Sequence, residues 1–229
     1  MQVDNSPHEP RDDGGPVQPR PPRFSIILVH HDGSTPHEHL LRCVESLKAQ
    51  TCQDFELLAY HNGPLSRPAE EMPVPFICSE TNTGNWGYAN RDRGIREATG
   101  DYIVHMNSDN VLYPNALEEI SKAIDRPSRL SNGADTKAMI VFGIWAMGLQ
   151  RYGDTLEKFP VETGYKLLLT GNPPKVLYID AMQGVVRREL WLKDGGWYAE
   201  GDLADGVMLQ NFAARYGYRS VEMVLGEHW

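Results

Sequence analysis

A short stretch of the chain ends in residues that could hold a metal ion. The largely apolar segment 101–106 is followed at once by Asn107, Ser108 and Asp109. Amide, hydroxyl and carboxylate oxygens are the ligands that hard divalent cations prefer. Pro114 suits the first turn of a helix, so these residues would lie between a strand and a helix. In open α/β sheets, ligands bind at the carboxyl ends of the strands. The natural ligand for a cation there is a diphosphate.

The elements around this stretch alternate between strand and helix. Segment 24–30 is almost continuously apolar, which is typical of a strand buried on both faces. In segment 37–50 the apolar residues recur at the spacing of an amphipathic helix. Similar patterns predict strands at 55–60, 75–78 and 101–106 and helices at 86–98 and 114–124. This alternation predicts an α/β fold with a mostly parallel, Rossmann-like sheet flanked by helices.

The second half of the chain is less regular. Residues 148–171 fit neither pattern, and 184–191 lead into a short helix. We predict strands at 138–145, 175–179 and 219–224 and a helix at 205–216.

Composition narrows the class of protein. The chain has 229 residues, with 22 basic against 31 acidic side chains and a formal net charge of -9. This excess of acid argues against a nucleic-acid binder, which needs a basic surface. The length is enough for one sizeable α/β domain. We expect a disordered, proline-rich leader at 1–22 and a single domain at 23–229.

Cysteine content and hydropathy indicate the cellular compartment of the protein. Cys43, Cys52 and Cys78 form neither a metal spacing nor a disulfide framework, which favours reducing, cytoplasmic conditions. The N-terminus lacks the apolar segment of a signal peptide. No apolar run approaches the ~20 residues of a transmembrane span. Peripheral association with a membrane stays open.

Several segments, taken in order, resemble the family-2 glycosyltransferases, which have the GT-A fold. Each match is short, but their order and spacing together are specific. The matching segments are 24–29, 45–51, 54–57, 82–84, 91–102, 107–112, 195–197 and 217–219. The resemblance implies inverting transfer of a sugar from a nucleotide diphosphate donor, most simply a UDP-sugar, to a hydroxyl of a glycan or other acceptor, with Mn²⁺ or Mg²⁺. It also implies a nucleotide-sugar-binding half at 23–125 and a smaller acceptor-binding half at 126–229.

The resemblance implies a metal site after the strand at 101–106. The family's motif is usually Asp-any-Asp, whereas this chain has Asn107, Ser108 and Asp109. Losing one charge should weaken metal affinity, and His228 could serve as a further ligand. Arg91 would approach the donor diphosphate. In the alternative interpretation, Asp109 and Asn107 are turn or cap residues. Arg91 would then be solvated or paired with a nearby Glu, and His228 would be solvated.

The resemblance also implies that the nucleobase lies near the end of the second strand. The family usually has two aspartates there, and this chain has His61 and Asn62. An amide both donates and accepts, so Asn62 can still pair with a uracil edge. Asn82 is in a matching segment and is placed in the same pocket. The histidine-rich loop after the first strand, which holds His30 and Asp32, fits no recognised zinc spacing. We therefore interpret it as part of the donor pocket.

Transfer also needs a carboxylate that takes the proton of the attacking hydroxyl. In the family this is the acid just before the last long helix. That position points to Asp205, with Asp202 as the second choice. The alternative role for Asp205 is a helix N-cap.

Two other functions stay open. A sugar nucleotidyltransferase also uses an α/β sheet and a metal, although this chain has no glycine-rich loop after its first strand. Because Asn107, His61 and Asn62 replace three acids, the chain could also be a relative that binds a sugar nucleotide without turnover. A homodimer is left open as well.

Overall fold

The computed structural model describes residues 20–127, 137–152 and 155–229. The first half of the chain builds a parallel sheet from β1 (Phe24–His30), β2 (Phe55–His61), β3 (Ile77–Cys78) and β4 (Tyr102–Asn107). These strands lie in the order β3-β2-β1-β4. His30 lies opposite His61, and Val29 lies opposite Asn107. The polar carboxyl ends of three strands therefore meet at one edge of the sheet.

Helices cover both faces of this sheet. The first three are α1 (His37–Lys48), α2 (Tyr88–Glu97) and α3 (Ala116–Asp125). Ile26 and Leu28 of β1 belong to the core that includes the apolar residues of α1 and α3. Ile27 and Val29 point to the other face and belong to the core that includes Ile95 of α2. This alternation follows the period of two in a strand and confirms the predicted α/β fold.

The second half extends the same sheet. It contributes β5 (Asn110–Leu112), β6 (Met139–Met147), β7 (Leu149–Tyr152), β8 (Thr155–Lys158), β9 (Lys166–Leu169), β10 (Gly184–Arg187), α4 (Arg188–Lys193), α5 (Ala204–Tyr216) and β11 (Arg219–His228). The order becomes β3-β2-β1-β4-β10-β6-β11-β5, with β9 beside β6, while β7 and β8 pair with each other. Strand β10 is antiparallel to both β4 and β6. The sheet is thus parallel in its first half and mixed in its second.

Several sequence-based boundaries change in the structure. The predicted strand at 175–179 is wrong, because this segment is a turn in which Tyr178 N donates to Lys175 O and Leu177 has a φ of 68°. The segment 148–171, which fitted no pattern, contains β7, β8 and β9. The sequence did not predict β5, because a three-residue strand shows no periodicity and forms only by pairing with β11.

The predicted leader covers residues 1–22, and its residues 1–19 lie outside the part of the chain that the structure describes. Its last residues contact the domain: Arg20 Nη2 lies 2.7 Å from Asp54 Oδ2, and Pro22 O accepts from Asp101 N at 3.2 Å. None of the helices in the described part of the chain has the length and apolar character that a membrane span requires.

Candidate functional site

A cavity of about 500 Å³ opens where the carboxyl ends of β1, β2 and β4 meet. Eight of the residues singled out in the sequence line it: His30, Asn62, Asn82, Asn107, Ser108, Asp109, Asp202 and His228. Trp86, Lys158 and Trp229 complete parts of its wall. The strand order therefore gathers residues that lie up to two hundred positions apart. This position agrees with the rule that ligands bind at the carboxyl edge of such sheets.

Asp109 presents an unsatisfied carboxylate oxygen beside this cavity. The turn after β4 is held by Asn110 Oδ1, which accepts from Asn107 N at 2.7 Å, and by Asp109 O, which accepts from Trp229 N at 3.1 Å. Asp109 Oδ1 is buried and has no hydrogen-bond partner among the described residues. Burial raises the pKa of Asp109, opposed by the charge of His228. A buried acceptor without a partner is costly, and a bound cation would satisfy it.

His228 reaches the cavity at the end of β11 and forms an ion pair with Asp180. His228 Nδ1 lies 3.2 Å from Asp180 Oδ2 and 3.1 Å from Asn110 Nδ2. Burial disfavours the imidazolium, but the carboxylates of Asp180 and Asp109 outweigh it and raise the pKa of His228 to about 9. A metal would bind His228 only after this proton had left. The raised pKa of His228 favours a positively charged imidazolium at this end of the cavity at neutral pH.

Sequence analysis missed Asp180, although a local signal was present. Asp180 and Gln183 form a capping box around one helical turn: Asp180 Oδ1 accepts from Met182 N at 3.0 Å, and Gln183 Oε1 accepts from Asp180 N at 2.8 Å. An acid followed three residues later by glutamine is the sequence pattern of such a cap. Its pairing with His228 needed the fold.

Arg91 lies fully buried behind Asn107. Its Nη2 donates a short hydrogen bond to Asn107 Oδ1, while Nε and Nη1 are buried without a partner among the described residues. The guanidinium carbon lies 5.4 Å from the centre of the Trp197 ring. Burial lowers the pKa of Arg91, and the nearby carboxylates of Asp180 and Asp205 oppose this effect. The solvated alternative for Arg91 is therefore wrong.

Asp205 lies in the first turn of α5 but does not cap it. The cap position is Leu203, which makes no side-chain cap bond. Asp205 Oδ2 accepts from Ala181 N at 3.1 Å and Oδ1 accepts from Gly206 N at 2.7 Å. Burial and the neighbouring Asp180 carboxylate raise the pKa of Asp205 to about 6. A carboxyl group tuned in this way can exchange protons near neutral pH.

Asp202 occupies a different environment. It is exposed, lines the cavity and accepts from Trp86 Nε1 at 3.0 Å. Nearby, the Tyr88 hydroxyl donates to Gly201 O at 2.7 Å. These two hydrogen bonds join the start of α2 and the turn before it to the loop before α5.

The side chains of Asn62 and Asn82 are hydrogen-bonded to each other. Asn62 Nδ2 donates to Asn82 Oδ1 at 2.8 Å, and Asn62 Oδ1 accepts from Thr83 N at 3.0 Å. Asn82 Nδ2 lies 3.0 Å from His31 Nε2. These contacts fix the loop after β3 against the end of β2. Asn62 keeps one amide hydrogen that is not used within this pair.

His30, Asp32 and His61 converge at the ends of β1 and β2. His30 Nε2 lies 3.1 Å from Asp32 Oδ1, and His61 Nε2 lies 3.2 Å from Asp32 Oδ2. His30 Nδ1 is 2.8 Å from Ser108 Oγ. Of the described residues, these three form the group of acids, thiols and imidazoles that converge closely enough to hold a metal ion. Sequence spacing did not reveal this group, because His61 lies on another strand.

Residues 25–165 match the family described as Glycosyl transferase family 2. This segment is more than half of the chain. The chain belongs to glycosyl transferase family 2. Asp180, Asp205 and His228 lie beyond the matched segment, so their relation to the site rests on the structure.

Two relatives show how far the family similarity extends. The chain is 25% identical over 150 residues to an uncharacterised glycosyltransferase of Methanocaldococcus jannaschii, across 62% of this chain and 47% of that protein. It is 28% identical over 120 residues to the amylovoran biosynthesis glycosyltransferase AmsE of Erwinia amylovora, across 48% of this chain and 44% of that protein. The chain spans less than half the length of these two relatives.

Two solved structures share the fold. TarS of S. aureus superposes with a TM-score of 0.61 at 13% identity, covering 90% of this chain and 36% of that chain. The mannosyltransferase PcManGT of Pyrobaculum calidifontis, solved in complex with GDP-Man and Mn²⁺, gives a TM-score of 0.60 at 14% identity, covering 91% and 57%. This similarity extends through the second half of the chain and confirms the predicted GT-A fold.

Proposed function

We propose that this family-2 domain transfers a sugar from a nucleoside diphosphate donor to a hydroxyl group of a glycan or other acceptor. The observation that carries the proposal is the buried, unpaired oxygen of Asp109 beside a cavity at the carboxyl edge of the sheet. Among the structural neighbours, TarS was solved with UDP and with UDP-GlcNAc. These neighbours support a nucleotide sugar, with UDP as the first nucleotide to test.

The residues of the cavity suit the two parts of such a donor. Asn62 and Asn82, at the ends of β2 and β3, would bind the nucleoside, with His30, Asp32 and His61 supporting this side from below. Ser108 and Asp109, in the turn after β4, would bind the diphosphate. Arg91 is buried behind Asn107 and does not line the cavity, and from there its positive charge would favour the anionic diphosphate.

Asp109, with Asn107, would hold a divalent cation such as Mn²⁺ or Mg²⁺. Oxygen ligands and a buried carboxylate suit these hard ions, although Asn107 Oδ1 already accepts a hydrogen bond from Arg91. When bound, the ion would neutralise charge that develops on the leaving diphosphate. His228 would join as a ligand only in its neutral form. In its protonated form it supports the same anion as a positive charge.

Asp205 would act as the base that takes the proton of the acceptor hydroxyl. Its pKa of about 6 leaves it ionised at neutral pH and able to accept that proton. One base and one direct displacement predict inversion at the anomeric carbon. Asp202 is the second choice for this role, because it lines the cavity and its side chain is exposed.

We also propose a cytoplasmic location, because Cys43, Cys52 and Cys78 are free thiols, as reducing conditions would keep them. Peripheral membrane association and a homodimer stay open alternatives. The structure describes one copy of the chain, and mass measurement in solution would decide the second point.

The direct test removes one charge at the centre of the site. Asp109→Asn should lower Mn²⁺-dependent transfer from a UDP-sugar by about 10²-fold or more, because the unpaired carboxylate no longer attracts a cation. Release of nucleoside diphosphate is measured by chromatography and mass spectrometry. Asp101→Asn, the same change at the opposite end of β4, is the matched control.

Three outcomes would contradict the proposal. Full activity of Asp109→Asn would show that the Asp109 carboxylate has no role in transfer. Release of pyrophosphate in place of a nucleoside diphosphate would indicate a nucleotidyltransferase. Tight binding of a sugar nucleotide without any release of sugar would indicate a binding protein.

A further inference from the structure

A second group of potential metal ligands lies at the ends of β1 and β2, where His30 also lines the cavity. His30 ends β1, His61 ends β2, and the register places them opposite each other. Their ring centres are 5.3 Å apart, and both side chains are almost completely buried. Asp32 in the following loop points its carboxylate between them, with contacts of 3.1 and 3.2 Å to the two Nε2 atoms.

The hydrogen bond made by His61 Nδ1 shows that Nε2 is the nitrogen available to bind a metal. His61 Nδ1 lies 2.7 Å from Gly63 O. A carbonyl oxygen can only accept, so Nδ1 carries the hydrogen of the neutral ring. Nε2 then has a bare lone pair, and it is buried without a hydrogen-bond partner among the described residues. This lone pair faces Asp32 Oδ2, which is also an acceptor, so a cation between them would give His61 Nε2 the partner it lacks.

His30 also points Nε2 at Asp32, but here the contact of 3.1 Å to Oδ1 is a hydrogen bond, so Nε2 donates and Nδ1 accepts from the Ser108 hydroxyl at 2.8 Å. With a metal on Nε2, the hydrogen would lie on Nδ1 and Ser108 Oγ would accept it. A histidine that binds a metal through one nitrogen usually donates from the other nitrogen to a carbonyl or another oxygen. Both histidines already have such partners, Gly63 O and Ser108 Oγ, in the required positions.

We propose that His30, Asp32 and His61 form a binding site for a transition-metal ion, with Zn²⁺ as the best match. Two imidazoles and one carboxylate are ligands that Zn²⁺ accepts, at about 2.0–2.2 Å from the ion. Ligand atoms at that distance around a tetrahedral ion are about 3.3 Å apart. The observed spacings of 3.1 and 3.2 Å, each to a different oxygen of Asp32, are close to this value, and one ligand atom from each of the three residues lies within 4.8 Å of the others.

This site differs in chemistry from the cation site proposed at Asp109. The Asp109 site offers oxygen ligands, which suit Mn²⁺ or Mg²⁺, whereas two imidazole nitrogens favour Zn²⁺ or Co²⁺. The inference does not rest on the proposed sugar transfer, because it uses only contacts among the three ligands and their supports. The two sites can therefore be tested separately.

An ion here would tie together the floor of the cavity. Asn62 N donates to His30 O at 2.8 Å, and Asp32 Oδ2 accepts from Ser66 N at 2.9 Å. Fixing His30, Asp32 and His61 would thus fix the ends of β1 and β2 and the Asn62 backbone. Three protein ligands leave a fourth position for water or another small ligand.

The test measures metal retention in the whole chain, purified without a histidine tag. After removal of metal with a chelator and dialysis against Zn²⁺, we expect one tightly held Zn²⁺ per chain by elemental analysis. Co²⁺ should give visible absorption bands of a nitrogen- and oxygen-ligated ion. His61→Gln and Asp32→Asn should each weaken Zn²⁺ affinity by about tenfold or more.

The controls separate this site from other ligands. Cys78→Ser removes an exposed thiol on the neighbouring strand, and His228→Gln removes the histidine of the Asp109 site. Both variants should keep the Zn²⁺. The proposal is overturned if wild type holds no Zn²⁺, if Zn²⁺ is lost in either control, or if it is retained in both His61→Gln and Asp32→Asn.

Two further measurements distinguish loss of the Zn²⁺ site from loss of the fold. Circular dichroism checks that each variant is folded, and Asp32→Asn, in a loop, provides the answer if His61→Gln fails to fold. Zn²⁺ should raise the melting temperature of wild type and not of Asp32→Asn, because a ligand bound only by the folded state stabilises it. Loss of Mn²⁺-dependent transfer in Asp109→Asn with full Zn²⁺ retention would show that the two sites are independent.

Discussion

Asp180 and Asp205 are close neighbours, and their surroundings push their pKa values apart. Burial favours the neutral form of Asp180, but His228, the Met182 N–H and Arg91 outweigh it and hold its pKa below the usual range. Burial and the charge of Asp180 raise the pKa of Asp205 to about 6. Separated pKa values in neighbouring acids allow one to stay ionised while the other exchanges a proton.

The pH profile of transfer should show this difference. The base form of Asp205 is deprotonated, so kcat/KM should increase as the pH rises through about 6. Asp205→Asn should lower the rate by about 10²–10⁴-fold and remove this inflection. Glu200→Gln, an exposed acid in the same loop, is the matched control. Loss of the inflection in Asp202→Asn and its survival in Asp205→Asn would move the base to Asp202.

The ion pair of His228 also predicts a titration. In Asp180→Asn the pKa of His228 should fall from about 9 towards its ordinary value of 6.5, because the carboxylate that stabilises the imidazolium is lost. NMR of the imidazole carbons follows this shift directly. A folded-state pKa above the unfolded value means that the pair's stabilisation is complete below pH 6.5 and lost as the pH rises through about 9. Wild type should lose stability over that range more steeply than Asp180→Asn. A wild-type His228 that titrates near 6.5 would contradict the pairing.

At the scale of elements, α2 packs closely against β1 because Gly94 has no side chain where the helix meets Ile27. A Cβ atom at Gly94 would lie 2.7 Å from Ile27 Cγ2 and 3.0 Å from Ile27 Cδ1. This close approach brings Arg91, one turn earlier on α2, into contact with Asn107 at the end of β4. The position of the buried guanidinium therefore depends on the small residue at 94.

Gly94→Ala should destabilise the fold by about 1–3 kcal/mol. The overlap with Ile27 should outweigh the gain of about 1 kcal/mol in helix propensity. Urea unfolding measures the change in free energy. The double variant Gly94→Ala with Ile27→Val should recover part of the loss, because the two side chains contact each other. Equal or higher stability of the single variant would show that α2 can shift without cost.

At the scale of the molecule, one sheet joins the two halves of the sequence. Strand β10 from the second half lies between β4 of the first half and β6, and β5 pairs with β11 at the far edge. The division into a donor-binding half at 23–125 and an acceptor-binding half at 126–229 stays a prediction about function. The backbone hydrogen bonds cross this division.

This architecture predicts a single cooperative unfolding transition. Urea curves followed by far-UV circular dichroism and by tryptophan fluorescence should coincide, because neither half has a complete sheet of its own. A fragment of residues 20–125 should lack such a transition, since removal of β10 exposes an edge of β4. Two separated transitions of the full chain, or cooperative unfolding of the fragment, would contradict this view.

The sequence by itself determined the elements whose signal is local. The apolar run of β1, the periodicity of α1 and α5, and the break from strand to polar residues at Asn107–Asp109 are visible over a few positions. They indicated the fold and the strand end where the cavity lies. Segment 175–179 misled because its apolar residues resemble a strand, whereas its hydrogen bonds form a turn.

Only the tertiary structure decided which of these residues act together. The pairing of Asp180 with His228 joins residues far apart in the chain, and His30 meets His61 only because β1 and β2 are neighbours in parallel register. Their charge states also follow from burial and from neighbours supplied by other elements. Local periodicity reports which face of a strand or helix is apolar, and it has no information about the partner that the packed sheet places opposite.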